Sequence, residues 1–220
     1  MVALPGTGAA GYLDIGAVVA AATESGCDAI HPGYGFLSEN PALARACADA
    51  GVTFVGPGPG ILERFGDKVA AREAATAAGV PVLAATPAGI DLDAARAFAA
   101  EHGSIMLKAV SGGGGRGMRP VTDPTELLVG ARHVEVQIAG DGARVEHLHE
   151  RECSLQRQRQ KLIEVAPAWW LDPSLRTRLH DAAVTLGEHV GYDSIGTVEL
   201  LVAGERFAFI ELNARLQVEH

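Results

Sequence analysis

Apolar residues return at Val18, Val19 and Ala22 between Ile15 and Glu24, a spacing that predicts a helix with one buried side. A short strand is expected at Ala29–Ile30, followed by the turn-rich stretch HPGYGFLSEN. Asn40 ahead of Pro41 predicts the start of a second helix, and Gly51 lies just past its end. Val52 to Val55 reads as a short apolar strand closed by GPGPG. Helix, strand, helix, strand is half of a doubly wound α/β layer. Asp67 opens a further helix through Lys68, Val69, Arg72 and Ala75 to Gly79. A strand around Val80–Leu83, a helix from about Asp91 to Glu101 and a strand Ile105–Val110 follow.

The second half has a different rhythm. Arg132 to Ala139 alternates strictly, with Val134, Val136 and Ile138 on one face and His133, Glu135 and Gln137 on the other. Asp141–Gly142 marks a hairpin with Ala143–Glu150 as its return strand. Pro173 to Val190 is an amphipathic helix with Leu175, Leu179, Ala183 and Leu186 on one side. A last hairpin joins Ile195–Ala203 to Phe207–Glu219 through Gly204, Glu205 and Arg206. An open parallel sheet normally begins with a strand, and this chain begins with a helix, so the start of a domain is expected to be missing.

Composition narrows the function classes. The 220 residues are enough for one large domain or two small ones. A net charge of −9 speaks against a nucleic-acid partner. No apolar run approaches the ~20 residues needed to span a bilayer, which speaks against a membrane partner. Three scattered cysteines (Cys27, Cys47, Cys153) without a C-x-x-C pair, and no signal peptide, predict a cytoplasmic protein with reduced, mostly buried thiols.

Chemistry enters with SGGGGRGM, whose glycine N–H groups can bend around an anion. Lys108, inside the preceding apolar strand, either sits at an exposed position or meets a partner, which a phosphate in that loop would supply; the alternative for the glycine run is a flexible linker. Arg157, Arg159 and Lys161 alternate along an extended stretch, either as a solvated basic face or as a cationic rim for an anionic substrate. His147 and His149 share a strand face at metal-ligand reach, but no further Cys or His stands near in sequence, so a structural placement is favoured. Trp169 and Trp170 read as packing or surface-capping residues.

The terminal hairpin is the most informative segment. With a three-residue loop, Ala203 pairs with Phe207 and Glu199 falls opposite Glu211. Opposed Cβ atoms stand ~4.5–5.5 Å apart. Two carboxylates at that spacing repel by roughly 3 kcal/mol at an effective dielectric of 20, unless one is protonated or a cation neutralises them. All-oxygen ligation beside a phosphate loop suits magnesium. Beyond Glu211, ELNARLQVEH alternates so that Glu211, Asn213, Arg215, Gln217 and Glu219 share one face of a continuing strand.

HPGYGFLSEN, the GDK at Gly66–Lys68, K-x(3)-GGGGRGM, RHVEVQ, ERECSLQR-x-x-QK, GT-x-E and E-x-N-x-R-x-QVEH occur in this order in biotin carboxylases. The chain resembles the biotin carboxylase portion of a biotin-dependent acyl-CoA carboxylase, an ATP-grasp enzyme. The resemblance implies an α/β fold, α+β in its ATP-grasp part. A partial Rossmann-like domain would cover residues 1–65 and an ATP-grasp domain 66–220, with 82–130 a shortened small lobe. It implies that ATP and Mg2+, for which Mn2+ could substitute, serve carboxylation of biotin on a carrier domain by bicarbonate. A carboxyltransferase subunit would be a further partner, and a homo-oligomer is compatible with it.

By the same resemblance Lys68 and Lys108 contact nucleotide phosphates, Gly114 and Gly115 belong to the loop over them, and His133 lies near the nucleotide. Glu199, Glu211 and Asn213 hold magnesium. Lys161, Arg215 and the Val218 N–H bind bicarbonate, and Glu219 is the base. The chain departs from the family in several places: almost nothing stands between Leu128 and Arg132, where relatives have a helix and an adenine-pairing strand, Arg159 replaces a common histidine, and the sequence stops at His220. A non-catalytic ATP-grasp module and another ATP-grasp carboxylate ligase, such as a carbamoyl-phosphate synthetase-like enzyme, remain alternatives.

Overall fold

The computed structural model describes residues 2–87, 89–103, 105–108, 118–121, 131–158 and 160–218. The N-terminal part contains α1 (Ala10–Leu13), α2 (Ile15–Glu24), β1 (Ala29–Ile30), α3 (Pro41–Asp49) and β2 (Thr53–Phe54). β1 and β2 are parallel and α3 crosses between them, the βαβ unit that the alternation of elements predicts. Asn40 caps α3 by accepting the Ala42 N–H at 2.8 Å, with Pro41 in the first turn. Ile30, Leu37, Leu43, Cys47 and Val52 form a small core, and Phe54 packs against both it and the large core.

 The pairing Val52 N–H to Cys47 carbonyl, at 2.9 Å, ties the end of α3 to the start of β2.

Next come α4 (Pro59–Gly66), α5 (Lys68–Ala77), α6 (Leu92–His102), β3 (Ile105–Lys108) and β4 (Met118–Val121). Asp67 caps α5 by accepting from the Val69 and Ala70 N–H groups, as its position before Lys68 predicts. β3 and β4 form an antiparallel pair. The strand expected around Val80–Leu83 is only a single parallel bridge, Val82 to Phe209, because Pro81 offers a carbonyl to Phe209 N–H but no donor of its own.

The remaining elements are β5 (Arg132–Gly140), β6 (Val145–Arg157), β7 (Gln160–Val165), α7 (Pro173–Val190), β8 (Ile195–Ala203) and β9 (Arg206–Asn213). They build a five-stranded antiparallel sheet in the order β7-β6-β5-β8-β9. Val134, Val136 and Ile138 meet Leu179, Ala183 and Leu186 of α7 in the large core, which also takes Leu62 and Phe65 of α4 and Ala71, Ala74 and Ala75 of α5. Fully burying a side chain of this size stabilises the fold by about 1.5–3 kcal/mol, which fixes which sheet face α7 covers. The opposite face, polar by sequence, is equally dry: Glu135 and Gln137 are both 0% exposed.

Three local expectations are corrected. Arg157 and Lys161 do not lie along one extended stretch, because β6 turns into β7 at Gln158 (φ 53°), and Lys161 pairs with Gln156. The last hairpin has a two-residue turn, Gly204–Glu205, so Ala203 pairs with Arg206 rather than Phe207. Finally, β9 ends at Asn213, and residues 214–218 leave the sheet: Gln217 is buried while Leu216 and Val218 are exposed, the reverse of the expected strand. Cys47 and Cys153 are buried and Cys27 is exposed, all three as free thiols.

Candidate active site

Although the turn is one residue shorter than expected, Glu199 still pairs with Glu211. The register slips between Glu199 and Leu200, where β9 carries one extra residue, Ile210, opposite β8. That bulge restores the spacing that the shorter turn would have lost. On the other side of β8, Glu199 pairs with Glu135 of β5, and Glu135 pairs with Arg151 of β6. Arg151, Glu135, Glu199 and Glu211 therefore form one row across four strands, three carboxylates side by side.

Cations and donors converge on that row. Lys161 reaches from β7 to bridge Glu135 Oε2 and Glu199 Oε1, the latter at 3.1 Å. Arg151 Nε donates to Glu135 Oε1 at 2.6 Å and lies 3.4 Å from Glu164. Arg151 Nη1 donates to Gln137, which also accepts from Thr197 and donates to the Gly196 carbonyl. Burial alone would lower the Lys161 ammonium, but the Glu199 and Glu135 carboxylates outweigh it and raise the group well above its ordinary value. Burial would likewise raise Glu199, yet the His133 contact and the Lys161 charge bring it down to about 2. Both groups are held in their charged forms.

His133 sits 2.9 Å from Glu199 Oε2 through Nε2. The Gln156 amide lies 2.7 Å from His133 Nδ1 while also donating to the Cys153 carbonyl. This arrangement assigns the His133 proton to Nε2, facing Glu199. Asn213 Nδ2 donates to Glu199 Oε1 at 2.8 Å. Lys161 and Asn213 thus both donate to Glu199 Oε1, while the His133 ring faces Oε2. The set Glu199, Glu211 and Asn213 Oδ1 offers oxygen atoms only, the donor chemistry that magnesium prefers.

The other expected residues are more dispersed. Arg215 does not share a strand with Glu211; its Nε lies 3.5 Å from Glu39, in the HPGYGFLSEN segment, and its Nη1 donates to the Leu216 carbonyl. Lys68 is exposed at the first position of α5. Val218 is 62% exposed, in a turn. Lys108 ends β3, and its side chain lies outside the described residues, as do Gly114, Gly115, Arg159 and Glu219.

Comparisons with known proteins decide the family. The model of the biotin carboxylase N-terminal domain matches residues 1–62. The model of the carbamoyl-phosphate synthase L chain ATP-binding domain matches residues 67–129 and 125–220. The chain belongs to the biotin carboxylase family. Mitochondrial pyruvate carboxylase of Homo sapiens is 47% identical over 239 residues, covering 95% of this chain and 20% of that protein. The aligned length exceeds the chain's own, so that relative carries residues with no counterpart here. A single-chain, multi-domain long-chain acyl-CoA carboxylase superimposes with a TM-score of 0.89 at 49% identity, covering 99% of this chain and 21% of the other. The biotin carboxylase domain of the Hydrogenobacter thermophilus 2-oxoglutarate carboxylase, solved with MgADP, ADP and bicarbonate, gives a TM-score of 0.89 at 37% identity, covering 99% and 54%. This chain thus spans about a fifth of the length of the pyruvate carboxylase it matches.

Within this biotin carboxylase framework, sequence reasoning missed Glu135, Arg151, Glu164 and Glu39. The alternation of RHVEVQ already put Glu135 beside His133 on one face. Nothing in the pattern says that this face is dry, and only burial turns an ordinary polar strand position into a charge that needs two cationic partners. Glu39 is out of reach of any local argument, since its partner Arg215 lies at the other end of the chain.

Proposed function

We propose that this chain carries the ATP-dependent carboxylation of biotin, presented on a carrier domain, by bicarbonate through carboxyphosphate. The observation that carries the reading is the row of three carboxylates, Glu135, Glu199 and Glu211, on adjacent strands, the first two bridged by Lys161. In this reading residues 1–65 are the N-terminal domain and 66–220 the ATP-grasp domain, whose small lobe, 82–130, is shortened. Glu199, Glu211 and Asn213 would hold Mg2+, whose charge offsets that of the transferring phosphoryl group.

The side chains would divide the remaining tasks. Lys68, Lys108 and the Gly114–Gly115 loop hold the nucleotide phosphates, and His133 orients Glu199 beside them. Lys161, kept cationic by its two carboxylates, attracts bicarbonate together with Arg215 and the Val218 N–H. Glu219 takes the bicarbonate proton, so that its oxygen attacks the γ-phosphate and ADP leaves. Carboxyphosphate then releases carbon dioxide and phosphate, and the carbon dioxide meets the ureido nitrogen of biotin, with Arg215 stabilising the negative charge that develops there. A carboxyltransferase would consume the carboxybiotin; the acceptor, an acyl-CoA or another acid, is set by that partner.

Bicarbonate labelled with 18O tests the proposal. Incubating the chain with MgATP, labelled bicarbonate and biotin should give bicarbonate-dependent ADP with one labelled oxygen transferred to inorganic phosphate, and Glu211→Gln should abolish both. Bicarbonate-independent ATP cleavage without label in phosphate would favour a different ATP-grasp reaction. Magnesium-dependent ATP binding without any cleavage would favour the non-catalytic module.

A further inference from the structure

The sheet face covered by α7 carries a second cluster of ligating groups. Glu150 and Arg151 are neighbours on β6 that point to opposite faces: Arg151 meets Glu135, whereas Glu150 meets Arg176 and His180 of α7. On the α7 side, His147, His149 and His180 each bring one ring nitrogen within 4.8 Å of the others. The His147 and His180 rings stack at 4.0 Å between centroids, and His149 closes the group at 5.5 and 5.9 Å. We propose that His147, His149 and His180 form a metal site for a divalent transition ion of the zinc type, separate from the magnesium site.

Three features of the structure support it. First, His180 Nε2 lies 2.7 Å from Glu150 Oε2, and the carboxylate holds the proton on that nitrogen. The lone pair is left on Nδ1, and a carboxylate behind a ligating imidazole is the usual support of a metal-bound histidine. Second, the His149 backbone N–H donates to His147 Nδ1 only over a long 3.3 Å, a weak contact that a metal at that nitrogen would displace.

Third, His149 has φ 67°, a conformation that non-glycine residues seldom adopt. It occupies a bulge: the register runs from Val136–Glu150 to Ile138–His147, so β6 holds one residue more than β5. That extra residue keeps His147 and Glu150 on the α7 side and swings His149 toward them. In a tetrahedral site with ~2.0–2.1 Å bonds the nitrogens stand about 3.3 Å apart, so small ring rotations close the present spacing. Imidazole nitrogens select zinc, copper or nickel over magnesium, which prefers oxygen. Bound metal would pin α7 to β6 on the far side of the sheet from Glu199.

Calorimetric titration of the chelator-treated chain with zinc, in excess magnesium, tests the site. One zinc should bind per chain, and binding should weaken at least tenfold in His149→Gly and in His147→Gln. Because glycine tolerates φ 67°, the metal-free His149→Gly chain should melt no lower than the parent, while losing the rise in Tm that zinc gives the parent. Cobalt in place of zinc should show the visible absorption of a tetrahedral nitrogen site. Absence of zinc binding in the parent chain overturns the proposal, as does binding that survives both histidine variants or disappears in Glu211→Gln.

Discussion

Glu199 stands between two other carboxylates, yet His133, Lys161 and Asn213 keep it ionised to about pH 2, against an ordinary value of 4.5. A depressed acid stabilises the folded state above its unfolded pKa, and that stability is lost as pH falls from about 4.5 toward 2. At about 1.4 kcal/mol per pH unit the contribution is on the order of 3 kcal/mol. Acid titration followed by circular dichroism should therefore show a flatter stability profile between pH 4.5 and 2 in Glu199→Gln than in the parent chain. Lys161 is the matching cation. Lys161→Met should destabilise the chain by about 3–5 kcal/mol in urea unfolding, the usual cost of stranding a buried charge. Adding Glu135→Gln to it should recover part of that loss, since the stranded carboxylate is gone. If the double variant is no more stable than Lys161→Met, Glu135 does not depend on Lys161.

Among the elements, the end of β5 shows how closely sheet and loop are fitted. Gly140 donates its N–H to the Ser194 carbonyl at 2.9 Å, and a Cβ there would fall 2.1 Å from the Tyr192 carbonyl oxygen. That oxygen is backbone, itself accepting from the Gly142 N–H at 3.0 Å, so it cannot step aside cheaply. Gly140→Ala should cost about 1–3 kcal/mol or more, readable as a drop in urea midpoint at unchanged slope. An unaltered midpoint would mean that the 191–194 loop moves freely. The bulge at Ile210 is the second such device. It offsets a turn one residue shorter than the sequence suggests, and it puts Glu211 rather than Ile210 next to Glu199 on the polar face.

For the whole molecule, the Phe54 packing between the N-terminal core and the large core is accompanied by two polar contacts across long stretches of sequence. Asp193 accepts the Gly58 N–H through both oxygens, at 3.0 and 3.2 Å, across 135 residues of sequence. Glu39 meets Arg215. Asp193→Ala removes the first, at a cost of about 1 kcal/mol. The effect should be regional: amide exchange in α3 and α4 should quicken while that of β5 and β8 stays as it was. Uniform acceleration across the molecule would show that the two parts unfold as one. Among the described residues no helix is long and apolar enough to cross a membrane. Trp170 packs as expected, donating to Glu152 under the Arg132 guanidinium, 4.6 Å from the ring centre, while Trp169 remains exposed.

The amino-acid sequence by itself determined α2, α3, α5, α6 and α7, though not the short α1 or α4, which begins inside the GPGPG run. Asn40, Asp67 and Asp172 cap helices where they stand next to Pro41, Lys68 and Pro173, because a side-chain oxygen and the following N–H groups interact within a few residues. It also determined the alternation of β5; the pairing of Glu199 with Glu211 came out as expected because the bulge at Ile210 offsets the shorter turn, a one-residue slip that would otherwise flip the face. Tertiary structure alone decided that the polar face of the sheet is dry, that Lys161 turns back from β7 to bridge two carboxylates, and that β9 stops at Asn213. It also brought His180 of α7 to His147 and His149, and Glu39 to Arg215. Burial and long-range partners depend on what other segments place against a residue, and no local pattern encodes that distance.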